Sequence, residues 1–288
     1  MLRFGRRFIG LVVSAAALAL ASPALVDSVS AQSTTFQPTV GQPGKDVVWV
    51  PTPEALVERM LTMAQVTPND FVVDLGSGDG RTVIAAAKKF GANAMGVEFN
   101  PDMVALSQRN AQRESVPADK ARFVRGDIFE TDFTKATVVT MYLLPGLNMR
   151  LRPQLLKMRP GTRLVSHQFT MEDWTPDETS YLDFRPAYLW IVPANVQGAW
   201  RVSLPNGGGT VDIDFEQTFQ KIRGAANFGV IKAGLREPNL RGDALSFTLV
   251  DQKGVLHDFA GRVSGDKMEG MVRSNGATGT WTAARRGG

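Results

Sequence analysis

The sequence predicts an α/β domain, a parallel sheet covered on both faces, followed by a small antiparallel all-β domain. Two observations carry this expectation. From Val47 to about Pro193, apolar strand-like runs alternate with helical patterns, the signature of parallel strands joined by crossover helices. After Gly198 the helical period disappears, and short strands of period two are separated by Gly-Asp and Asn-Gly turns. A chain of 288 residues is long enough for both domains.

In the first regime, FVVDLG (71–76) is a buried-strand run and RTVIAAAKKF (81–90) an alanine-rich helix. NAMGVEF (93–99) reads as a strand, and 101–114 as a helix with Pro101 at its first turn. Strands follow at 121–129 and 136–144, then a helical stretch at 147–158 interrupted by Pro153, then a strand at 162–169. In the second regime, 211–219 places Val211, Ile213, Phe215 and Phe219 on one face and Asp212, Asp214, Glu216 and Thr218 on the other. LSFTL (245–249) repeats that period, so 198–288 is expected to form a sandwich or small barrel.

The chain opens with a basic segment (Arg3, Arg6, Arg7), a 14-residue apolar run at 8–21 and small residues ending at Ala31. That order is expected of an export signal over 1–31, and the apolar run is shorter than the roughly 20 residues that span a bilayer. An uncleaved anchor is the alternative; either way the body would lie beyond the cytoplasm, in a bacterial periplasm or envelope. Arg6-Arg7 faintly resembles a twin-arginine signal. Residues 32–46 are polar with Pro and Gly and read as a tether, leaving 47–197 and 198–288 as the two domains.

Hydrophobic residues at 43% and charged residues at 21% are ordinary globular values. The absence of cysteine excludes disulfides, thiolate metal sites and a cysteine nucleophile, and two histidines ninety residues apart argue against a multi-histidine metal centre. Half of the net charge of +4 lies in the first 31 residues, so the remainder is too evenly balanced to point to nucleic acid.

Chemistry concentrates in Asp74-Leu75-Gly76-Ser77-Gly78-Asp79-Gly80, between the first strand and its helix. Glycines there let the backbone turn sharply and approach a ligand at the carboxyl edge of the sheet. The dinucleotide fingerprint would require Gly or Ala at 81, where Arg81 stands. Glu98 ends the next strand, where a carboxylate can accept from both hydroxyls of a ribose. Asp127 follows Gly126 at the end of the third strand, placed to accept from the exocyclic amine of an adenine beside Ile128. Three acids at three strand ends beside a glycine loop describe a nucleoside pocket without a phosphate.

Asp74–Gly80, Glu98 and Gly126-Asp127 resemble the cofactor motifs of class I S-adenosylmethionine-dependent methyltransferases. The resemblance covers about 47–193 and implies a Rossmann-like seven-stranded sheet closed by an antiparallel pair at 181–193. VPTPEALVERML (50–61), VVDLGSGDGR (72–81) and GVEFNP (96–101) are similar to the small lysine methyltransferases related to the ATP synthase c-subunit enzyme. In that group the Pro-Thr-Pro turn lies near the cofactor, which brings in Thr52; Thr52 is equally a helix N-cap before Pro53. The likeness fades past Asp127, and MYLLPG (141–146) lacks the Asn-Pro-Pro-Tyr loop of enzymes that methylate adenine or glutamine amides.

The reaction implied is methyl transfer to an amine, including protein lysine, or to a small molecule, with no nucleic acid expected. An amine acceptor must first lose a proton. Tyr142 after the fourth strand and His167 at the end of the fifth are the candidate catalytic groups, with Glu172 and Asp173 nearby. The competing class is a non-catalytic nucleoside or adenosylmethionine binder that uses its β module to engage an envelope partner. The short, mostly apolar join at 191–200, and Trp200 and Trp281, which can bury against each other or against the neighbouring domain, suggest that the module packs on its neighbour and walls the acceptor cleft or forms an oligomer contact.

Overall fold

The computed structural model describes Gly5 and residues 36–205 and 208–287; the expected leader otherwise lies outside these residues. The α/β part runs α1 (Glu54–Met63), β1 (Phe71–Leu75), α2 (Arg81–Phe90), β2 (Asn93–Glu98), α3 (Pro101–Arg113), β3 (Ala121–Arg125), β4 (Val138–Met141), α4 (Pro145–Leu155), β5 (Arg163–His167), β6 (Glu178–Leu182) and β7 (Arg185–Ile191). Its seven strands lie in the order β3-β2-β1-β4-β5-β7-β6. The first five are parallel, and β7 runs antiparallel between β5 and β6. Alternation along β1 separates two cores. Val72 packs with Leu56, Val83 and Val104 on one face, whereas Val73 and Leu75 pack with Leu151, Leu155, Trp174 and Trp190 on the other.

Two strands are shorter than the sequence suggests. β3 stops at Arg125, so Asp127 sits in the turn that follows, where its backbone carbonyl accepts from the N–H groups of Glu130 and Thr131. β4 likewise stops at Met141, which leaves Tyr142 on the loop into α4. Thr52 does not cap α1: Pro53 is the N-cap and no side chain bonds the first turn. Residues 36–46, expected within a tether, instead begin a packed hairpin. The Gly41 N–H donates to the Trp49 carbonyl and the Trp49 N–H to the Gln42 carbonyl (2.9 Å each), and Arg109 reaches the Phe36 carbonyl.

The β part comprises β8 (Gly198–Ser203), β9 (Thr210–Thr218), β10 (Lys221–Phe228), β11 (Ile231–Gly234), β12 (Arg236–Arg241), β13 (Ala244–Val250), β14 (Leu256–Ser264), β15 (Lys267–Ser274) and β16 (Ala277–Arg285). Every pairing is antiparallel, and β8 pairs with β16, joining the first strand to the last. β11 and β12 are one stave bent at Leu235, whose N–H donates to Gly224 of β10 at 2.8 Å. The result is a nearly closed up-and-down barrel of eight staves. Trp200, Phe215, Phe247, Phe259 and Trp281 fill it, so the barrel buries both of its tryptophans itself. Phe219 leaves the face shared by Val211, Ile213 and Phe215: at φ +55° it turns outward and stacks on Trp174 of the α/β part, 5.5 Å between centroids.

That contact belongs to a continuous seam. Trp174 Nε1 donates to Gln220 Oε1 (3.1 Å), Gln220 Nε2 donates to the Thr175 carbonyl (2.7 Å), and the Ala194 N–H donates to the Gly242 carbonyl (2.8 Å). Gly242 lies against Gly161 and Ile191, at the amino edge of the parallel strands. The barrel therefore docks opposite the carboxyl edge and does not wall the cleft described next.

Candidate functional site

The carboxyl ends of β1, β2, β3 and β4 open into a cleft of about 240 Å³, lined by the glycine loop, Glu98, Asp127, Ile128, Tyr142 and Phe169, and roofed by the 42–52 segment. The β1–α2 loop is tied to β2 by the N–H groups of Gly76 and Ser77, which both donate to the Val97 carbonyl. Gly78 has φ +55°, and a Cβ there would stand 2.7 Å from Trp49 Nε1. Gly80, at φ +83°, is the N-cap of α2 and lies against Phe123 and Ser107, with 2.7 Å of room for a Cβ. The Ser77 hydroxyl is buried beneath the loop against Gly96, so its backbone rather than its side chain faces a ligand.

Asp74, paired with Thr140 across β1 and β4, accepts from the Thr140 hydroxyl at 2.6 Å. Burial pushes its carboxyl up to about 7, although hydrogen bonds from Thr140 and Thr82 oppose the shift. A buried carboxylate facing the cleft with hydroxyl partners suits a cationic amine. Glu98 uses one oxygen for the Gly78 N–H (2.9 Å) and the other for the Asn100 N–H (2.9 Å), which fixes its plane at the end of β2. Each carboxylate oxygen keeps a lone pair for a ligand hydroxyl. Asp127 accepts from the Phe129 N–H (2.9 Å) through Oδ1, and Lys45 of the roof pairs with Oδ2. Lys45 also lies 4.6 Å from the centre of the Phe99 ring.

Asp79 borders the cleft, but Arg81 takes its carboxylate in a fork, with Nη2 to Oδ2 at 2.6 Å and Nε to Oδ1 at 3.0 Å. Arg81 Nη1 then donates to the Thr52 carbonyl (2.9 Å), so Asp79 and Arg81 anchor the Pro-Thr-Pro turn to the glycine loop. The Thr52 hydroxyl bonds His167 Nδ1 at 3.0 Å. The His167 ring stands 3.9 Å from that of Tyr142, which in turn stacks on Phe169 at 6.1 Å.

His167 is thus placed behind Tyr142 and is not among the lining residues. Burial, helped by Arg185, lowers its pKa to about 4. His167 is hydrogen-bonded to Thr52 and packed against Tyr142. Glu172 and Asp173 do not line the cleft either, and Asp173 pairs with Arg152. Sequence reasoning missed Trp49, Lys45, Phe99 and Phe169. The apolar run Val47-Val48-Trp49-Val50 beside the Pro-Thr-Pro turn was the available signal for the roof.

The strand order, the glycine loop on β1 and the acids ending β1 and β2 and following β3 define a class I S-adenosylmethionine-dependent methyltransferase. The family described as the ANTKMT methyltransferase domain matches residues 74–178. A protein-lysine N-methyltransferase of Saccharolobus islandicus (strain REY15A) is 47% identical over 134 residues, 46% of this chain and 83% of that protein. The lysine N-methyltransferases of the ATP synthase c-subunit from Rattus norvegicus and Homo sapiens are 36% and 34% identical over 133 residues, 46% of this chain in each case. This chain spans 60% and 56% of their respective lengths. A solved structure described as an RNA methyltransferase from Salinibacter ruber, in complex with S-adenosyl-L-homocysteine, is 48% identical with a TM-score of 0.50, covering 51% of this chain and 96% of that one. The chain belongs to this methyltransferase family, and S-adenosylmethionine is its cofactor.

Proposed function

We propose that this chain methylates the ε-amine of a protein lysine. The carrying observation is its 47% identity, over most of the relative's length, to an enzyme named for that reaction. The cleft supports the reading: Tyr142 and Phe169, with Leu144 and Leu147, offer an apolar and aromatic passage suited to a lysine stem and its cationic end.

S-adenosylmethionine supplies, when bound, a methyl group activated on a sulfonium, so the protein's share is alignment and exclusion of water. In this reading Asp74 holds the cofactor's amine, and Glu98 accepts from the ribose hydroxyls. Asp127 meets the adenine amine beside Ile128, and the backbone of Gly76, Ser77, Gly78 and Gly80 forms the cradle. Asp79, through Arg81, keeps Thr52 at the wall. Tyr142 orients the acceptor nitrogen, which enters as the neutral amine after losing its proton to the bulk buffer.

RNA is the second reading, because the 48%-identical solved structure carries that description. Incubation of the purified chain with methyl-tritiated S-adenosylmethionine and separated protein and RNA fractions distinguishes the two. Protease-sensitive label recovered as methyllysine supports the proposal; nuclease-sensitive label overturns it. Binding of S-adenosylmethionine without turnover on either fraction would favour the non-catalytic binder.

We also propose export, supported by the basic, apolar and small-residue order of 1–31. Expressed with its own leader, the mature chain should begin near Gln32. Intact Met1 in a membrane fraction would indicate an anchor.

A further inference from the structure

The α/β part leaves its large apolar side chains exposed along one edge. Between Val47 and Pro193 they are Val48, Val50, Phe99 and Leu144, which line the cofactor cleft, and Tyr181 and Phe184, on the hairpin that joins β6 to β7. That hairpin turns at the carboxyl edge. β7 runs antiparallel to β5 with His167 opposite Ala187, and the Gln168 N–H donates to the Pro186 carbonyl at 2.8 Å. The chain at Phe184 therefore passes beyond the end of β5, beside the segment whose Phe169 lines the cleft. Strand spacing puts the two roughly 5–10 Å apart, about two or three residues of extended polypeptide.

The tip is an unfavourable place for a phenylalanine. Leu182 pairs with Arg185, so Asp183 and Phe184 are the central residues of a two-residue turn, and both are left-handed, at φ +47° and +61°. Such a turn prefers Asn-Gly or Asp-Gly. Phe184 instead carries a Cβ in a backbone conformation suited to glycine, and its ring is 100% exposed. Gln168 (φ +69°) and Glu172 (φ +52°) are left-handed too, on the neighbouring loop after β5. Strained backbone gathers at ligand clamps, and exposed apolar surface marks docking sites. One face of β6 is already covered: Arg59 Nε of α1 donates to Ser180 Oγ (2.7 Å), and Leu182 packs on the core that α1 shares. Tyr181, opposite Pro186 and diagonal to Tyr188, stands on the other face and is 70% exposed.

We propose that this hairpin is a subsite for the acceptor polypeptide. With the lysine in the cleft, the flanking chain runs in extended form from Phe169 toward Phe184, and an apolar side chain about three residues from the lysine rests on Phe184 and Tyr181. The occupant is the acceptor itself because the hairpin continues the apolar rim of the cleft along the same edge. The inference rests on the lysine reading above and adds to it the sequence around the lysine.

Two acceptors test it: a Gly-Ser peptide with one lysine and a leucine three residues to either side, and the same peptide with serine for both leucines. The leucine peptide should be preferred about tenfold or more in kcat/KM, through KM, because one leucine side chain is buried against two rings. Phe184→Gly should remove most of that preference and leave kcat and S-adenosylhomocysteine affinity as in the parent. Because Asp-Gly suits the turn, this variant should also melt at a higher temperature than the parent. A purely structural Phe184 would give the reverse, a lower melting temperature with the preference intact. Equal use of the two peptides, or a preference that survives Phe184→Gly, would overturn the subsite and leave lysine methylation standing. Methyllysine on neither peptide would overturn it too, and label in the protein fraction then decides the lysine reading separately. A dimer of the parent, seen by sedimentation and dissociated by Phe184→Gly, would assign the tip to a second copy of this chain and equally overturn the proposal.

Discussion

On the proposed assignment of Asp74 to the cofactor's amine, cofactor binding is a proton-coupled event. Its carboxyl, raised to about 7 by burial, is mostly protonated in the free protein at pH 6, whereas a bound ammonium group requires the carboxylate. Binding at pH 6 should therefore release about 0.9 proton, and at pH 8 about 0.1. The affinity for S-adenosylhomocysteine should fall about 50-fold between pH 7 and pH 5, roughly 2.3 kcal/mol. His167, lowered to about 4, titrates below this window and does not contribute to the slope. Calorimetry in buffers of different ionisation enthalpy reads the proton count directly. Asp74→Asn should abolish both the proton release and the pH slope while lowering affinity at pH 8. The stability of the free protein should move the other way. The native carboxyl binds its proton more tightly than the unfolded one, so this group's contribution declines as pH rises from about 4 to about 7. A pH-independent affinity, or no proton release at pH 6, would refute the assignment of Asp74 to the cofactor's amine.

Gly78→Ala should weaken S-adenosylhomocysteine binding about tenfold or more by calorimetry, because the new Cβ meets the Trp49 indole in a left-handed backbone conformation. Adding Trp49→Ala should recover part of that loss; no recovery would place the effect in the loop backbone alone. Lys45→Met should free the Asp127 carboxylate and speed cofactor association in stopped-flow measurements, since the roof's ion pair must open before an adenine amine can use that oxygen. An unchanged association rate would show that the roof does not limit entry. Limited proteolysis should spare residues 192–200, where Val192, Ala194, Val196 and Trp200 are all buried. Early cleavage there into two stable fragments would contradict the docked barrel.

Much of the fold was legible because its signals are local. The period of β1, the glycines after it and the alanine-rich face of α2 each lie within one short window, and the acids at 74 and 98 follow from where those strands stop. The roof was not legible for the same reason: a window reads Val47–Val50 as a short apolar run, and its partner across the cleft is Gly78, about thirty residues away. Thr52 shows how a local rule loses to a distant contact. Thr-Pro reads as a helix start, yet the hydroxyl is taken by His167, 115 residues along the chain, and α1 begins without a side-chain cap.

The barrel was legible as an antiparallel all-β unit, and what the sequence left open was how it closes. Its strands were visible, but its closure depends on the β8–β16 pairing, in which Trp200 meets Arg285, and no local pattern encodes that register. Closure is what lets the module bury Trp200 and Trp281 internally, and this removes the reason for using them against the neighbouring domain. The docking surface falls instead to Phe219, Gln220 and Gly242, at turns on the barrel's docked end. Because that end meets the amino edge of the sheet, the barrel does not shape the opening on the carboxyl side. On the proposed function, acceptor choice rests first with the residues that line the opening: the roof, the Tyr142–Leu147 segment that enters α4, and Phe169 beyond β5. Substitutions at Leu144 or Phe169 should therefore change which acceptors are methylated, whereas substitutions at the barrel's far end should leave acceptor preference as it was.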